Sequence, residues 1–243
     1  MDGRDEKRSE GSHLLRQAPG RETRLCVQGE ERWIEKQYTG GSTREAWRER
    51  FRGETPRSPA RREYDALVEL RRLGIPVPRA LAFAEDRHRS SVRMSYVSHS
   101  ETLKDRLVVA ARTERVELGR RLLGLVLRLH GAGWYHRDLY LEHFLLSSDG
   151  ELCLIDLGRA RRDAVTRERW FEKDLAALEH SAPDAISRQE RLRFLCAYLN
   201  GRGIVDRATR RRRAEAIARR AARMARHEPR HGVSHELPNE VQS

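Results

Sequence analysis

The stretch HRDLYLEHF at residues 136–144 is the most informative segment of this 243-residue chain. It places Asp138 on a polar loop that follows a long apolar, helix-like run. Asp156 stands 18 positions later, directly after the apolar run LCLI, where a buried strand is expected to open into a loop. A carboxylate at such a place is costly unless it is paired or binds a metal ion, and carboxylate oxygens suit Mg2+. The two acids therefore predict a site in which Asp138 orients a reacting group and Asp156 holds a cation.

Strand-like patterns dominate the chain before residue 98, and helix-like patterns dominate after it. RLCVQG and ERWIEKQY are typical of two short strands that turn near Gly29, and ALAFAED and SSVRMSYV of a hairpin. Beyond Thr113, apolar residues repeat at helical spacing. We therefore predict an α+β, two-lobed fold with a strand-rich N-lobe, a helical C-lobe and a cleft between them. The predicted divisions are a disordered lead-in at 1–20, the N-lobe at 21–97, the C-lobe with its Arg-rich end at 98–230, and a flexible tail at 231–243.

A possible phosphate-binding cation lies in the strand-rich part. Lys36 ends the strand-like run WIEK, and Glu63 lies on a helix that is expected to begin at Ser58 and Pro59. A lysine on a strand is usually only solvated, so the functional interpretation depends on the set of parts rather than on this residue. Phosphoryl transfer from ATP needs a cation on the phosphates, a carboxylate that orients the hydroxyl, and a carboxylate that holds Mg2+. Lys36 with Glu63, Asp138 and Asp156 supply these parts in order, and we expect them to converge on one nucleotide.

The same segments resemble a known family. HRDLYLEHFLL, LIDLGRA, REYDALVELRRLGIPVP and KDLAALEHSAP are similar to the lipopolysaccharide kinase family, bacterial relatives of protein kinases that phosphorylate inner-core sugars. The resemblance covers roughly residues 25–226. It implies a protein kinase-like fold, ATP and Mg2+ as cofactors, and the lipopolysaccharide inner core as the substrate.

The resemblance also points to one branch of that family. The branch that acts on heptose carries His where protein kinases carry Asn, with Tyr three residues earlier and Phe after it, as in Tyr140, His143 and Phe144. The expected acceptor is therefore a heptose hydroxyl. Gly158 departs from the pattern, because heptose kinases tend to carry His there.

Site residues follow from the resemblance. Asp138 is expected to accept or orient the hydroxyl proton, and Asp156 with His143 to hold Mg2+. The alternative for His143 is a loop histidine that packs beside His136. Asp174 either accepts hydrogen bonds from the backbone of the catalytic loop or is an exposed helix charge.

The nucleotide is expected to lie beside residues 94–97, where Ser95 and Val97 would contact adenine through main-chain groups. Residues 21–32 contain no GxGxxG pattern, so the phosphates would be covered by ordinary backbone or by Arg24 and Arg32. No APE-like motif follows Arg162, which disfavours a groove for a peptide substrate.

Charge and composition bear on partners and location. Lys plus Arg total 49 against 37 acidic residues, a net charge of +12. Either a GC-rich genome inflates arginine, or the chain is attracted to a polyanion such as an anionic membrane or a phosphorylated glycolipid. The Arg-dense segment 207–226 lacks interleaved aromatics, so no nucleic acid is expected. The polar N-terminus and three scattered cysteines indicate a cytoplasmic protein, peripheral at the inner face of the inner membrane.

Two other functions are compatible with the sequence. One is an atypical, RIO-like kinase of a protein or small molecule, which acceptor screening would separate from a core sugar kinase. The other is a pseudokinase or basic adaptor, which the missing Gly-rich loop favours. Binding of Mg·ATP that is lost in Lys36→Ala would count against the adaptor.

Overall fold

The computed structural model describes residues 10–40, 56–99, 101–147, 149–162 and 168–226. The predicted tail at 231–243 lies outside these residues, as do residues 1–9 of the predicted lead-in. The chain divides into two compact units. Among the described residues, the first runs to Val68 and resumes over Arg79–Tyr96; the second takes in Glu69–Pro78 and the chain from Val97 to residue 226. Residues 69–78 were predicted to belong with the N-terminal part, but they group with the helical unit instead.

The first unit is built on an antiparallel sheet of five strands in the order β1-β2-β3-β5-β4. The strands are β1 Glu10–Ala18, β2 Arg21–Gln28, β3 Glu31–Thr39, β4 Ala80–Glu85 and β5 Arg89–Ser95. Gly20 and Gly29 make the two tight turns with φ of 74° and 61°, which glycine adopts without steric cost. The predicted turn near Gly29 and the predicted 80–95 hairpin are both present.

Strand β1 corrects the predicted disordered lead-in. Glu10–Ala18 pairs with β2 along its length, from Glu10 opposite Gln28 to Ala18 opposite Arg21. The segment EGSHLLRQA has no regular apolar alternation, so its strand is not visible in the pattern. Pairing with the next strand along the chain satisfies the backbone groups on one side of β1, and this pairing decides the structure.

Helix α1, Pro59–Arg72, contributes to the first unit through its N-terminal part. It begins as predicted, with the Ser58 hydroxyl accepting the N–H of Arg61 at 3.0 Å. Its apolar face is buried at Ala66, Leu67 and Leu70. Leu73 is exposed because the helix ends one residue before it.

The second unit is mainly helical. Its helices are α2 Leu103–Val109, α3 Arg112–Gly131, α4 Glu168–Ser181, α5 Arg188–Gly201 and α6 Arg207–Arg226. Short strands connect them: β6 Glu101–Thr102, β7 Trp134–Tyr135, β8 Phe144–Leu146, β9 Leu152–Leu154 and β10 Arg161–Arg162. Strands β6, β8 and β9 form one antiparallel sheet, and β7 pairs with β10. Among the described helices, none is both long and apolar enough to cross a membrane.

Apolar packing in this unit fixes the ends of the short strands. Helix α3 buries the predicted repeat at Leu118, Leu122, Leu125, Val126 and Leu129, whereas Val116 near its start is exposed. The residues between β7 and β8 form a loop that ends in a 3-10 turn at Leu141–His143. A second 3-10 turn, Leu157–Arg159, follows β9. These two connections carry Asp138 and Asp156.

Candidate active site

In the first unit, Lys36 and Glu63 form a buried ion pair. Nζ of Lys36 lies 2.6 Å from Oε1 of Glu63, and the two residues are 6% and 0% exposed. Strand β3 supplies the lysine and α1 the glutamate, as the sequence predicted. Because a buried ammonium is costly without a carboxylate partner, Glu63 fixes where the charge of Lys36 sits.

Tyr38 completes this arrangement and was missed by the sequence analysis. Its hydroxyl donates to Oε2 of Glu63 at 2.5 Å, so both oxygens of that carboxylate have partners. Tyr38 lies two residues after Lys36 on the same face of β3, where the period of two places both side chains toward α1. The two-residue spacing between Lys36 and Tyr38 was the signal in the sequence that could have identified Tyr38.

In the second unit, Asp174 of α4 anchors the loop that carries Asp138. Its fully buried carboxylate accepts the backbone N–H groups of His136 at 2.6 Å and Arg137 at 2.7 Å. Arg137 has φ of +75°, a left-handed conformation that is strained for an arginine. Of the two interpretations of Asp174, loop support is therefore the one observed, because the side chain is inaccessible and paired with backbone donors.

A second layer supports Asp174 from behind. Nε2 of His130 lies 3.3 Å from the Asp174 carboxylate, and Nδ1 of His130 lies 2.7 Å from the Tyr198 hydroxyl. An ionised carboxylate only accepts, so Nε2–H donates to Asp174 and the Tyr198 hydroxyl donates to Nδ1. Helices α3, α4 and α5 are thereby joined to one loop.

His136 joins the loop that carries Asp138 to the segment that carries Asp156. Its Nε2–H donates to the Ile155 carbonyl at 3.0 Å, and the N–H of Ile155 donates to the His143 carbonyl at 2.9 Å. Burial lowers the pKa of His136, so its ring is neutral at neutral pH. His136 has a structural role in the site, since its ring is wholly inaccessible to a substrate.

His143 and Asp156 face each other. Nδ1 of His143 lies 2.7 Å from the Asp138 carbonyl, which can only accept, so Nδ1 donates this hydrogen bond and Nε2 is the ring nitrogen that faces away from it. Nε2 lies 3.8 Å from Oδ2 of Asp156. Asp156 itself has φ of 59° and ψ of 57°, a left-handed backbone conformation. This conformation turns the chain after β9 and sets the direction of the Asp156 side chain.

This pair is suited to a divalent cation. It offers one carboxylate oxygen and one ring nitrogen, and each side chain is about one fifth exposed. Within the described residues, no group of three His, Cys, Asp or Glu side chains forms a metal centre by itself. A Mg2+ ion here would therefore take further ligands from water or substrate phosphates, as this ion commonly does. The His143 ring also packs against that of His136 at 5.7 Å, so both sequence interpretations of His143 are compatible with the structure.

Asp138 is surrounded by two cations that the sequence analysis did not identify. Nη1 of Arg159 lies 2.9 Å from Oδ1 and 2.8 Å from Oδ2, so it spans the carboxylate. Nζ of Lys173, on α4, lies 3.6 Å from Oδ1. Arg159 lies three residues after Asp156 and Lys173 immediately before Asp174, so adjacency to predicted site residues was one available signal.

The two residues predicted to contact adenine fall on either side of the boundary between the units. The Ser95 N–H donates to the Arg79 carbonyl at 2.8 Å, and its hydroxyl accepts the N–H of Arg79. The Val97 carbonyl accepts from Nδ1 of His99 at 2.8 Å. Because these groups are engaged within the protein, contact with adenine through Ser95 and Val97 stays a prediction.

Comparison with known proteins finds similar sequences. Residues 7–198 match the model of the "Lipopolysaccharide kinase (Kdo/WaaP) family". The lipopolysaccharide core heptose(I) kinase WaaP of Pseudomonas aeruginosa is 35% identical over 157 residues, and that of Escherichia coli K12 is 28% identical over 158. Each alignment covers 57% of this chain and 59% of the relative, so the chain matches less than two thirds of the relatives' length.

Two solved structures confirm the predicted protein kinase-like fold. The aminoglycoside-3'-phosphotransferase of type VIII superposes with a TM-score of 0.58 at 16% identity, covering 86% of this chain and 93% of that one. The Cydia pomonella granulovirus kinase PK-1 gives 0.51 at 15% identity, covering 75% and 72%. At such low identity these likenesses establish the fold alone.

Proposed function

Because the chain belongs to the lipopolysaccharide kinase (Kdo/WaaP) family, we propose that it is an ATP-dependent kinase that phosphorylates a sugar of the lipopolysaccharide inner core. Heptose is the proposed sugar, since the relatives described above are core heptose(I) kinases. The observation that carries the proposal is the presentation of Asp138 on a loop whose strained backbone is fixed by a buried acid. Such positioning is the main contribution of a protein to phosphoryl transfer.

Asp138 is assigned the acceptor side of the reaction. Its carboxylate is one fifth exposed, which allows a sugar hydroxyl to approach it. The acceptor oxygen forms a bond to the γ-phosphorus while the bond to the bridging oxygen of ADP breaks, and the hydroxyl proton passes to Asp138. Arg159, which now spans the carboxylate, would be displaced by the incoming hydroxyl.

Two groups of residues are assigned to the binding of ATP and of its Mg2+ ion. Lys36, oriented by Glu63, would bind phosphate oxygens of ATP, and Ser95 and Val97 would contact adenine through the main chain. Asp156 and His143 would hold Mg2+. When bound, Mg2+ neutralises charge on the phosphates and orients them.

The proposed place of action is the cytoplasmic face of the inner membrane, where the lipid A–core substrate would be met. The net charge of +12 favours approach to an anionic surface. Helix α6 adds basic groups there: Arg211 and Arg219 are largely exposed, although each lies near Glu215. Arg213 is instead held against Glu172 at 2.6 Å, so only part of the arginine of this helix is available to a surface.

Transfer of labelled phosphate to purified core oligosaccharide tests the proposal. The wild-type chain should label core that contains heptose and leave core truncated before heptose unlabelled. Asp138→Ala should abolish labelling while its melting temperature stays close to that of the wild type. Labelling of a protein in place of the oligosaccharide would indicate a RIO-like activity, and retained labelling by Asp138→Ala would remove Asp138 from its role.

A further inference from the structure

Lysine is scarce in this chain. Of the 49 Lys plus Arg residues, only four are lysine: Lys7, Lys36, Lys104 and Lys173. The preference for arginine at basic positions does not extend to these four positions. An ammonium is a compact charge with three rotatable donors, whereas a guanidinium is a wide planar fork. A lysine retained in a confined place therefore marks a position that needs the smaller cation.

Two of the described lysines are confined and one is not. Lys36 is in the buried pair with Glu63. Lys104 forms a pair with Glu142 in which both side chains are about 40% exposed, as expected of a surface contact. The side chain of Lys173 is 19% exposed and stands beside Asp138.

The ammonium of Lys173 has unused donors. At 3.6 Å its distance to Asp138 is too long for a hydrogen bond, and Arg159 occupies that carboxylate at 2.8–2.9 Å. Within the described residues, Lys173 donates no hydrogen bond. Burial lowers its pKa, and the nearby Asp138 opposes this shift without cancelling it. A partly dehydrated cation with open donors strongly favours an anion that arrives beside it.

Helix α4 fixes this cation relative to the reacting loop. Lys173 directly precedes Asp174, whose carboxylate holds the backbone of Arg137 next to Asp138. The ammonium and the hydroxyl-orienting carboxylate are therefore positioned by the same turn of one helix. This arrangement is preorganised, because neither group has to move to meet the other.

We propose that Lys173 is a catalytic residue whose ammonium donates a hydrogen bond to a non-bridging oxygen of the phosphoryl group during its transfer. The proposal rests on the proposed kinase function and adds the group that stabilises the charge on the acceptor side. The acceptor oxygen bonds to phosphorus, ADP leaves with the electron pair of the broken bond, and Asp138 takes the hydroxyl proton. Lys173 keeps its own proton throughout, and Arg159 leaves Asp138 when the acceptor binds.

The test compares Lys173→Met, Lys173→Arg and, as a matched control, Lys104→Met. Lys173→Met should lower kcat by roughly 10²- to 10³-fold, the loss typical of one preorganised donor, while the Kd for Mg·ATP changes less than about twofold. Lys173→Arg should recover only part of the rate, because the planar fork does not fit the same space. Lys104→Met should retain kcat within about threefold.

Two readouts do not depend on turnover. ADP with aluminium fluoride and Mg2+ imitates the phosphoryl group in transit, and Lys173→Met should weaken its binding at least about tenfold relative to ADP alone. The melting temperature of Lys173→Met should equal or exceed that of the wild type, because a poorly solvated charge is removed. A purely structural lysine would instead lower the melting temperature and leave the two affinities in the same ratio.

The outcomes separate the two proposals. If wild-type protein labels no core sugar but Lys173→Met still loses affinity for ADP–aluminium fluoride, the acceptor is wrong and the role of Lys173 stands. If Lys173→Met labels core at the wild-type rate, or binds ADP–aluminium fluoride as tightly as wild type does, Lys173 has no catalytic role.

Discussion

Asp174 holds Arg137 in a left-handed backbone conformation by accepting its N–H at 2.7 Å. A positive φ is strained in a non-glycine residue, and this hydrogen bond is one of the contacts that stabilise it. The loop geometry at Asp138 therefore depends on a residue that does not belong to the loop.

Replacing Asp174 should damage both stability and turnover. In Asp174→Asn, an NH2 group replaces one of the two carboxylate oxygens that accept the backbone N–H groups of His136 and Arg137. One of these buried N–H groups then has no acceptor. We expect a loss of about 3 kcal/mol in the free energy of unfolding, measured by urea denaturation, and a much lower kcat. Glu179→Gln on the same helix is the control, because its side chain is 41% exposed. Unchanged kcat in Asp174→Asn would show that the loop holds its conformation without this acid.

Removing the charge of Glu63 should weaken ATP binding. Glu63→Gln removes the charged oxygen that lies 2.6 Å from the buried ammonium of Lys36, so this contact no longer holds Lys36 in position. We expect the Kd for Mg·ATP, measured by calorimetry, to rise about tenfold or more. Tyr38→Phe should have a smaller effect in the same direction, since it removes one hydrogen bond to Glu63.

Glu35→Gln is the matched control for that experiment. Glu35 lies next to Lys36 on β3 but pairs with Arg93 at 2.9 Å. If Glu35→Gln and Glu63→Gln change ATP affinity equally, the effect reflects the charge of the sheet and not the ion pair.

Substitutions at His143 should separate metal binding from loop packing. His143→Ala removes Nε2 beside Asp156 and the Nδ1–H bond to the Asp138 carbonyl. We expect the Mg2+ concentration for half-maximal activity to rise roughly tenfold or more. His143→Asn supplies an amide oxygen, a ligand that suits Mg2+ better than nitrogen, and should recover most of that loss. Equal Mg2+ requirements in all three proteins would leave His143 with a packing role only.

The pH dependence of kcat should follow the protonation of Lys173. Burial lowers its pKa from the ordinary 10.5, with Arg159 and Arg137 acting in the same direction and Asp138 and Asp174 opposing. The active form is protonated, so kcat should fall as pH rises through this lowered pKa. In Lys173→Arg the residual activity should lose that alkaline fall, because a guanidinium stays charged. An identical alkaline profile in both proteins would assign the fall to another group.

The same shift has a defined effect on stability. A folded-state pKa below the unfolded value means that the unfolded chain binds more protons between the two values. The free energy of unfolding contributed by Lys173 therefore increases as pH rises through this window. Chemical denaturation at several alkaline pH values should show this increase in wild type and not in Lys173→Met.

Local signals in the sequence were sufficient for much of the fold. Ser58 before Pro59 predicted the start of α1, and this start placed Glu63 where it meets Lys36. The apolar repeat predicted α3 because a helix buries one face at a fixed spacing. These features depend on neighbours within a few residues.

The remainder depended on contacts that a residue's own sequence pattern does not show. Strand β1 lacks a pattern of its own, and its structure comes from pairing with β2. Arg159 and Lys173 are two of many basic residues, and only the folded chain shows that they lie beside Asp138. For Lys173 a signal did exist, because lysine is rare in this chain.

The position of β1 at one end of the five-stranded order has a practical consequence. A truncated protein that starts at residue 21 would expose the backbone donors and acceptors of β2, which are now covered along the whole strand. Unprotected strands of this kind recruit other copies of the chain. Light scattering should show that the truncated form self-associates and that the full-length chain does not. Aggregation of the truncated form would lower its yield in solution and would be mistaken for poor expression.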